Sequence, residues 1–256
     1  MLSISLPNNF CQERVWICDV VFGEFLGQPL CTHFSAVDVP EISLRGAKGR
    51  LRLSDRFFRV AQDHWLAPES MPPVRLAAID RDCLAEICPD IEFPLPEIWG
   101  DMGEKKLIFE RKGDGASLAL DVLGSAFFML SRYEEMAVAD RDEHDRFPAW
   151  ASVAYKAGFL NRPIIDEYVE ILWAAMKSLW PGLERKRHVG EIMPSHDIDW
   201  PSAYWGGPLK RARMAANAVA RKGLVGGIRL AKEALSYPRS GWAHDPYGRI
   251  DWIMDV

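Results

Sequence analysis

Asp121-Val122-Leu123-Gly124-Ser125-Ala126-Phe127-Phe128-Met129-Leu130-Ser131-Arg132-Tyr133-Glu134-Glu135 decides how this chain folds. Val122, Ala126, Met129 and Tyr133 recur at helical spacing, and Phe127 and Leu130 widen the stripe into an apolar face. Asp121 suits the N-cap, where a carboxylate accepts an amide proton of the first turn that has no partner in the helix. Upstream of this point the pattern is short strands and turns; downstream it is helical. The class that follows for residues 1–182 is α+β.

Three stretches upstream carry the strand expectation. Arg14-Val15-Trp16-Ile17-Cys18-Asp19-Val20-Val21-Phe22 is rich in β-branched and aromatic residues and is followed by Gly23. Gly49-Arg50-Leu51-Arg52-Leu53 alternates polar and apolar. Lys105-Lys106-Leu107-Ile108-Phe109-Glu110 is a third, closed by Gly113-Asp114-Gly115. Pro72-Pro73, Pro94 and Pro96 break any long element between them.

Downstream, a second helix is predicted from Pro163 to about Leu179, with Ile164, Tyr168, Ile171, Leu172, Ala175 and Leu179 on its apolar face and Pro181-Gly182 as its stop. Residues 183–190 are a charged linker, and residues 191–256 a second domain. That domain opens with a short strand running into Ser195-His196-Asp197-Ile198-Asp199. Helical stretches over 208–221 and 226–236 follow, broken by glycines at 206–207 and 223–227. Asp245-Pro246 starts another helix, whose stripe of Ile250, Trp252, Ile253 and Val256 carries no stop signal, so a longer fold is expected to continue.

Hydrophobic residues at 48% and charged residues at 26% are ordinary for a globular protein with a real core. Ten Trp and twelve Phe suit either core packing or sugar-stacking platforms. Five Cys without a CxxC pair argue against a disulfide framework or a structural zinc site and for reduced, buried thiols. No export signal and no stretch long enough to span a bilayer are read, so the expected location is the cytoplasm. Residues 201–240 hold eight Lys and Arg against one acid, Glu233. With no aromatic interleaving or nucleic-acid module beside them, a solvated helix face is the expectation, and neither nucleic acid nor membrane is an expected partner.

His196-Asp197-Ile198-Asp199 is the stretch with chemical content. Residues two apart on a strand point to one face, so Asp197 and Asp199 project together. Two adjacent carboxylates repel unless a cation or a shared proton lies between them. With a divalent metal, one carboxylate ligates the ion and the other takes a proton from water.

Ser195-His196-Asp197-Ile198-Asp199-Trp200-Pro201 resembles the first motif of the polysaccharide deacetylases (NodB-homology, carbohydrate esterase 4-like). Gly124 to Glu135, followed by Arg141-Asp142-Glu143-His144-Asp145-Arg146-Phe147-Pro148, resembles the uncharacterised domain DUF7033, which precedes that deacetylase domain in many bacterial proteins. The resemblance implies Asp197 as catalytic base, Asp199 as metal ligand, zinc as the cofactor of the complete site and acetylated carbohydrate as substrate. It also implies a fold in which residues 191–256 are the opening part of an incomplete (β/α)-barrel deacetylase domain. The family completes its site with a His-x-x-x-His pair, and none occurs in these 256 residues. The chain is therefore expected to be inactive alone and to hold divalent ions weakly. A non-catalytic saccharide- or partner-binding module is the alternative. His144 within its charged run, and Arg132 with Glu134 and Glu135, are weaker candidates, read as a surface ion-pair loop and a structural salt bridge.

Overall fold

The computed structural model describes residues 1–84, 87, 89–101, 107–186, 190, 192–193, 195, 197 and 207–240, and the side chains of the last stretch except those at 215, 218, 222, 224, 226, 230 and 233–240. The chain divides into two units, Met1–His188 and Val189–Val256.

The first unit is built on a mixed six-stranded open sheet of order β2-β1-β3-β4-β8-β7. β1 (Leu2–Leu6) pairs parallel with β2 (Leu30–Phe34) and antiparallel with β3 (Glu41–Leu44), which pairs antiparallel with β4 (Leu51–Leu53). Strands β5 (Ala77–Ile79) and β6 (Leu95–Glu97) form a separate antiparallel pair. β7 (Phe109–Lys112) and β8 (Gly115–Leu118) make a hairpin, and β8 pairs parallel with β4. Alternation sets the sheet's inner face: Leu2, Ile4 and Leu6 are buried, as are Leu51, Leu53, Ala116 and Leu118.

The helices that cover this face are α1 (Cys11–Cys18), extended by a π-helical stretch over Asp19–Phe25, α2 (Val122–Leu130) and α5 (Ile164–Leu179). Short helices α3 (Tyr133–Ala137) and α4 (Val153–Lys156) lie between the last two in sequence. α2 packs on α1 and α5, and α5 lies against β4 and β8. The stripe read from the sequence of α2 is buried at Val122, Ala126 and Phe127, but Leu130 is exposed and Tyr133 begins α3 beyond a break at Arg132 (φ 57°), so the single expected helix is two; the N-cap Asp121 accepts from the Gly124 amide at 2.8 Å. Pro163 sits one residue outside α5, at the capping position, and Trp180 follows its last turn.

Residues 14–22 are a correction: they are helix, not strand. The buried set Arg14, Ile17, Cys18, Val21 and Phe22 has steps of three, one, three and one, which is helical phase. The density of β-branched and aromatic residues hid that phase, and this segment forms the crossover that parallel β1 and β2 require. The cysteines are a second correction. Of the four described, all reduced, Cys18 is buried but Cys11 is exposed.

Much of the aromatic load of the first unit is clustered in the core, while Trp16 and Trp150 are exposed. The Phe57 ring lies within 6 Å of six others, including Trp65 at 5.1 Å, Phe127 at 5.8 Å and Tyr133 at 5.1 Å. Gly49, at φ 86°, lets the start of β4 pass the hairpin turn, where a Cβ would stand 1.9 Å from the Asp114 carbonyl oxygen. Gly49→Ala is expected to cost at least about 1 kcal/mol, from the strained backbone and that clash. A lowered urea midpoint with an unchanged slope would register it.

Among the described residues the second unit shows α6 (Pro208–Ser240), interrupted at Gly223 (φ 74°, ψ 175°), where the two helical stretches were expected to part. A Cβ on Gly227 would stand 2.3 Å from Cα of Val219, so the segments on either side of the break approach closely through a glycine. Arg213, Arg221 and Lys232 are exposed. The sheet is open, no closed barrel occurs among the described residues, and most of the expected strand into the acidic cluster lies outside them. No helix among the described residues is long and apolar enough to cross a membrane.

Candidate functional site

Two places carry functional interest: the acidic motif read from the sequence, and the buried polar centre of the first unit. Of the motif, Ser195 and Asp197 are described, both exposed and outside regular structure. His196, Ile198, Asp199 and Trp200 lie outside the described residues. The expected pairing of Asp197 with Asp199 therefore has no geometry to report.

Among the described residues no complete divalent site is assembled. No group of three or more His, Cys, Asp or Glu side chains converges among the described residues, and the sequence supplies no His-x-x-x-His. A hydrolytic ion is ordinarily held by three protein ligands with one position open to water.

The buried centre is well built. Arg14 enters the core from α1, 1% exposed, and forms a bidentate pair with Asp55, both contacts at 2.8 Å. Its Nε donates to the Asn9 carbonyl at 2.9 Å, its Nη2 to Asn9 Oδ1 at 2.8 Å, and its plane lies 4.4 Å from the Phe58 ring centre. Asn9 in turn donates to the Phe58 carbonyl at 2.7 Å. The loop after β4 is thereby fastened to the start of α1.

Asp121 completes the arrangement from the other side. One carboxylate oxygen accepts from the amides of Arg56 at 2.7 Å and Phe57 at 2.9 Å; the other caps α2. Burial, and secondarily the charge of Asp55, push its pKa up to about 7 against the three amide donors. A shifted buried acid beside an ion pair often marks a reactive site. Here Arg14, Asp55 and Asp121 are sealed from solvent, and none of them lines a cavity described below. The centre fixes the fold.

The weaker sequence candidates resolve as surface features. Arg132 pairs with Glu135 at 2.5 Å on the exposed side of the turn after α2. Glu134 does not join them: it is buried and accepts from the Val153 amide at 2.8 Å. Asp142 accepts from the amides of Arg146 at 3.0 Å and His144 at 2.8 Å and pairs with the Arg146 guanidinium; the Arg146 amide above all, then that of His144 and the guanidinium, hold its carboxyl below the usual range. His144 is an exposed loop residue.

Cavities open elsewhere on the first unit. One of about 690 Å³ is lined by Glu24, Asp166, Glu170, Arg185 and Lys186; there Arg185 pairs with Glu170 at 2.6 Å and lies over the Trp173 ring. Another, of about 460 Å³, lies beside β5 and β6 and the turn after α4.

Comparison with protein families gives one match: a model described as a family of unknown function (DUF7033) covers residues 2–181. The chain belongs to that family. The match spans the first unit nearly to its end, so the DUF7033 domain is this open α/β sheet with its helical cover. No curated protein matches. No solved structure matches.

The sequence marked the capping role of Asp121 but missed its hold on residues 56–57, and it missed the Arg14–Asp55 pair. The signal was available in part: Arg14 stands in helical phase with Ile17, Cys18 and Val21, which places a guanidinium on a buried face. A buried guanidinium requires an acid.

Proposed function

We propose that the chain joins a non-catalytic DUF7033 module to the opening of a metal-dependent carbohydrate deacetylase domain, and that these 256 residues do not hydrolyse acetyl groups by themselves. The observation that carries this is the run Ser195 to Pro201, with two acids one residue apart directly after Ser-His. Asp197 is assigned as the base and Asp199 as a metal ligand, in a site that needs imidazole donors from beyond these residues. No catalytic step is assigned to the chain alone.

The DNA beyond the codon for Val256 provides the test. An in-frame His-x-x-x-His supports the deacetylase reading. A stop codon directly after Val256, with stable protein produced from the gene, contradicts it.

A second reading is a saccharide- or partner-binding module without enzymatic chemistry. It is favoured by the sealed character of the best-built polar centre of the first unit, which leaves Arg14, Asp55 and Asp121 beyond the reach of any substrate. The two readings diverge at the motif. If the Asp197→Asn/Asp199→Asn chain behaves as wild type in every activity of the complete protein, the module reading gains.

A further inference from the structure

We infer that the cavity beside β5 and β6 binds a small organic carboxylate, with the acid group held by Arg75 and Lys156 and a compact apolar body resting on prolines. This inference is independent of the deacetylase reading, since it concerns the DUF7033 domain alone.

Charge is the first argument. The cavity is lined by Arg75, Lys156 and Arg162 and, among the described residues, by no carboxylate side chain. Arg162 is already committed: its Nη1 donates to the Pro94 carbonyl at 2.8 Å, and its Nη2 to the Glu92 carbonyl at 2.8 Å and the Glu167 carboxylate at 2.7 Å. Its role is to brace the wall. Lys156 donates to the Ala151 carbonyl at 2.6 Å and its charge also reaches Glu134, but an ammonium has three protons to give. Arg75 is exposed and makes no hydrogen bond or ion pair among the described residues. Two donors with unused capacity thus line a space that no described carboxylate side chain lines, which suits a planar acid group.

Shape and polarity are the second. The volume of about 460 Å³ falls in the range of small-molecule sites. Pro94, Pro96 and Phe159 contribute its apolar lining. The wall is stiff: Arg162 pins Pro94, and the Tyr168 hydroxyl donates to the Pro96 carbonyl at 2.5 Å while accepting from the Ile98 amide at 2.8 Å. A wall held in this way loses little freedom when a ligand docks, which favours binding. An inorganic anion would use the charges and leave the prolines uncovered, so an organic acid fits better.

The test titrates the full 256-residue chain by calorimetry with benzoate, with glucuronate and with inorganic phosphate. Benzoate and glucuronate separate an apolar ring from a hydroxylated one as the carrier of the acid. Saturable binding of benzoate, tighter than glucuronate and tighter than phosphate, is the expected result. Arg75→Ala is expected to weaken it about tenfold, the loss of one charge-assisted contact. Among the described residues Arg75 has no partner to lose, so this variant is expected to keep its fold, which its melting temperature will show. Arg75→Glu is expected to abolish binding. Failure of benzoate to bind, glucuronate or phosphate binding equally well, or binding indifferent to Arg75→Glu would each overturn the assignment.

Discussion

Asp55→Ala is expected to lower the unfolding free energy by about 3–5 kcal/mol, the largest effect of any single substitution considered. Removing this carboxylate leaves Arg14 charged, 1% exposed and facing only Asn9 and the Phe58 ring. The guanidinium cannot lose its proton and has no route to solvent without unpacking α1 from the sheet. Domains of this kind are stable by only about 5–15 kcal/mol, so the variant should unfold well below the wild-type urea midpoint. The double variant Arg14→Met/Asp55→Leu separates pairing from packing. It should recover most of the loss, because an apolar pair leaves no charge uncompensated. A single variant within about 0.5 kcal/mol of wild type would show that the pair is not what holds the loop to α1.

Asp121→Ala is expected to cost about 3 kcal/mol, because three amides, the part-buried one of Arg56 and the buried ones of Phe57 and Gly124, lose this acceptor together. Asp121 also has a pH signature. Its pKa in the fold is raised to about 7, far above the ordinary carboxyl range near 4 that it regains on unfolding. A raised acid favours the folded state in its protonated form. That contribution is whole below about pH 4 and is lost as pH rises through about 7. Wild-type stability should therefore fall relative to Asp121→Asn, which cannot ionise, across that window. Chemical denaturation at a series of pH values gives the comparison, and parallel curves would contradict the assignment.

The elements with a clean period were legible in the sequence. α5 shows its apolar face and stop plainly, α2 its N-cap and the first turns of its face, and β4 its alternation. The helix at residues 14–22 was not, because its apolar residues are nearly continuous and its one buried charge looks like a surface residue until Asp55, 41 positions away, is placed beside it. Long-range pairs of this kind leave no local mark. The six-stranded order was also beyond local reading, since β4 and β8 pair in parallel across more than sixty residues of intervening chain. The acidic motif is the opposite case: the reading proposed for it rests on seven consecutive residues, and only part of the motif is among those the structure describes. The cavity beside β5 and β6 draws its cations from positions 75, 156 and 162, which no spacing rule would have joined.

Zinc titration of the purified 256-residue chain, followed calorimetrically, tests the central claim most directly. Two acids one residue apart, without a pair of imidazoles to complete the coordination, should give weak heats with no defined stoichiometry, unchanged by Asp199→Ala. Tight one-to-one binding that Asp199→Ala removes would contradict the account.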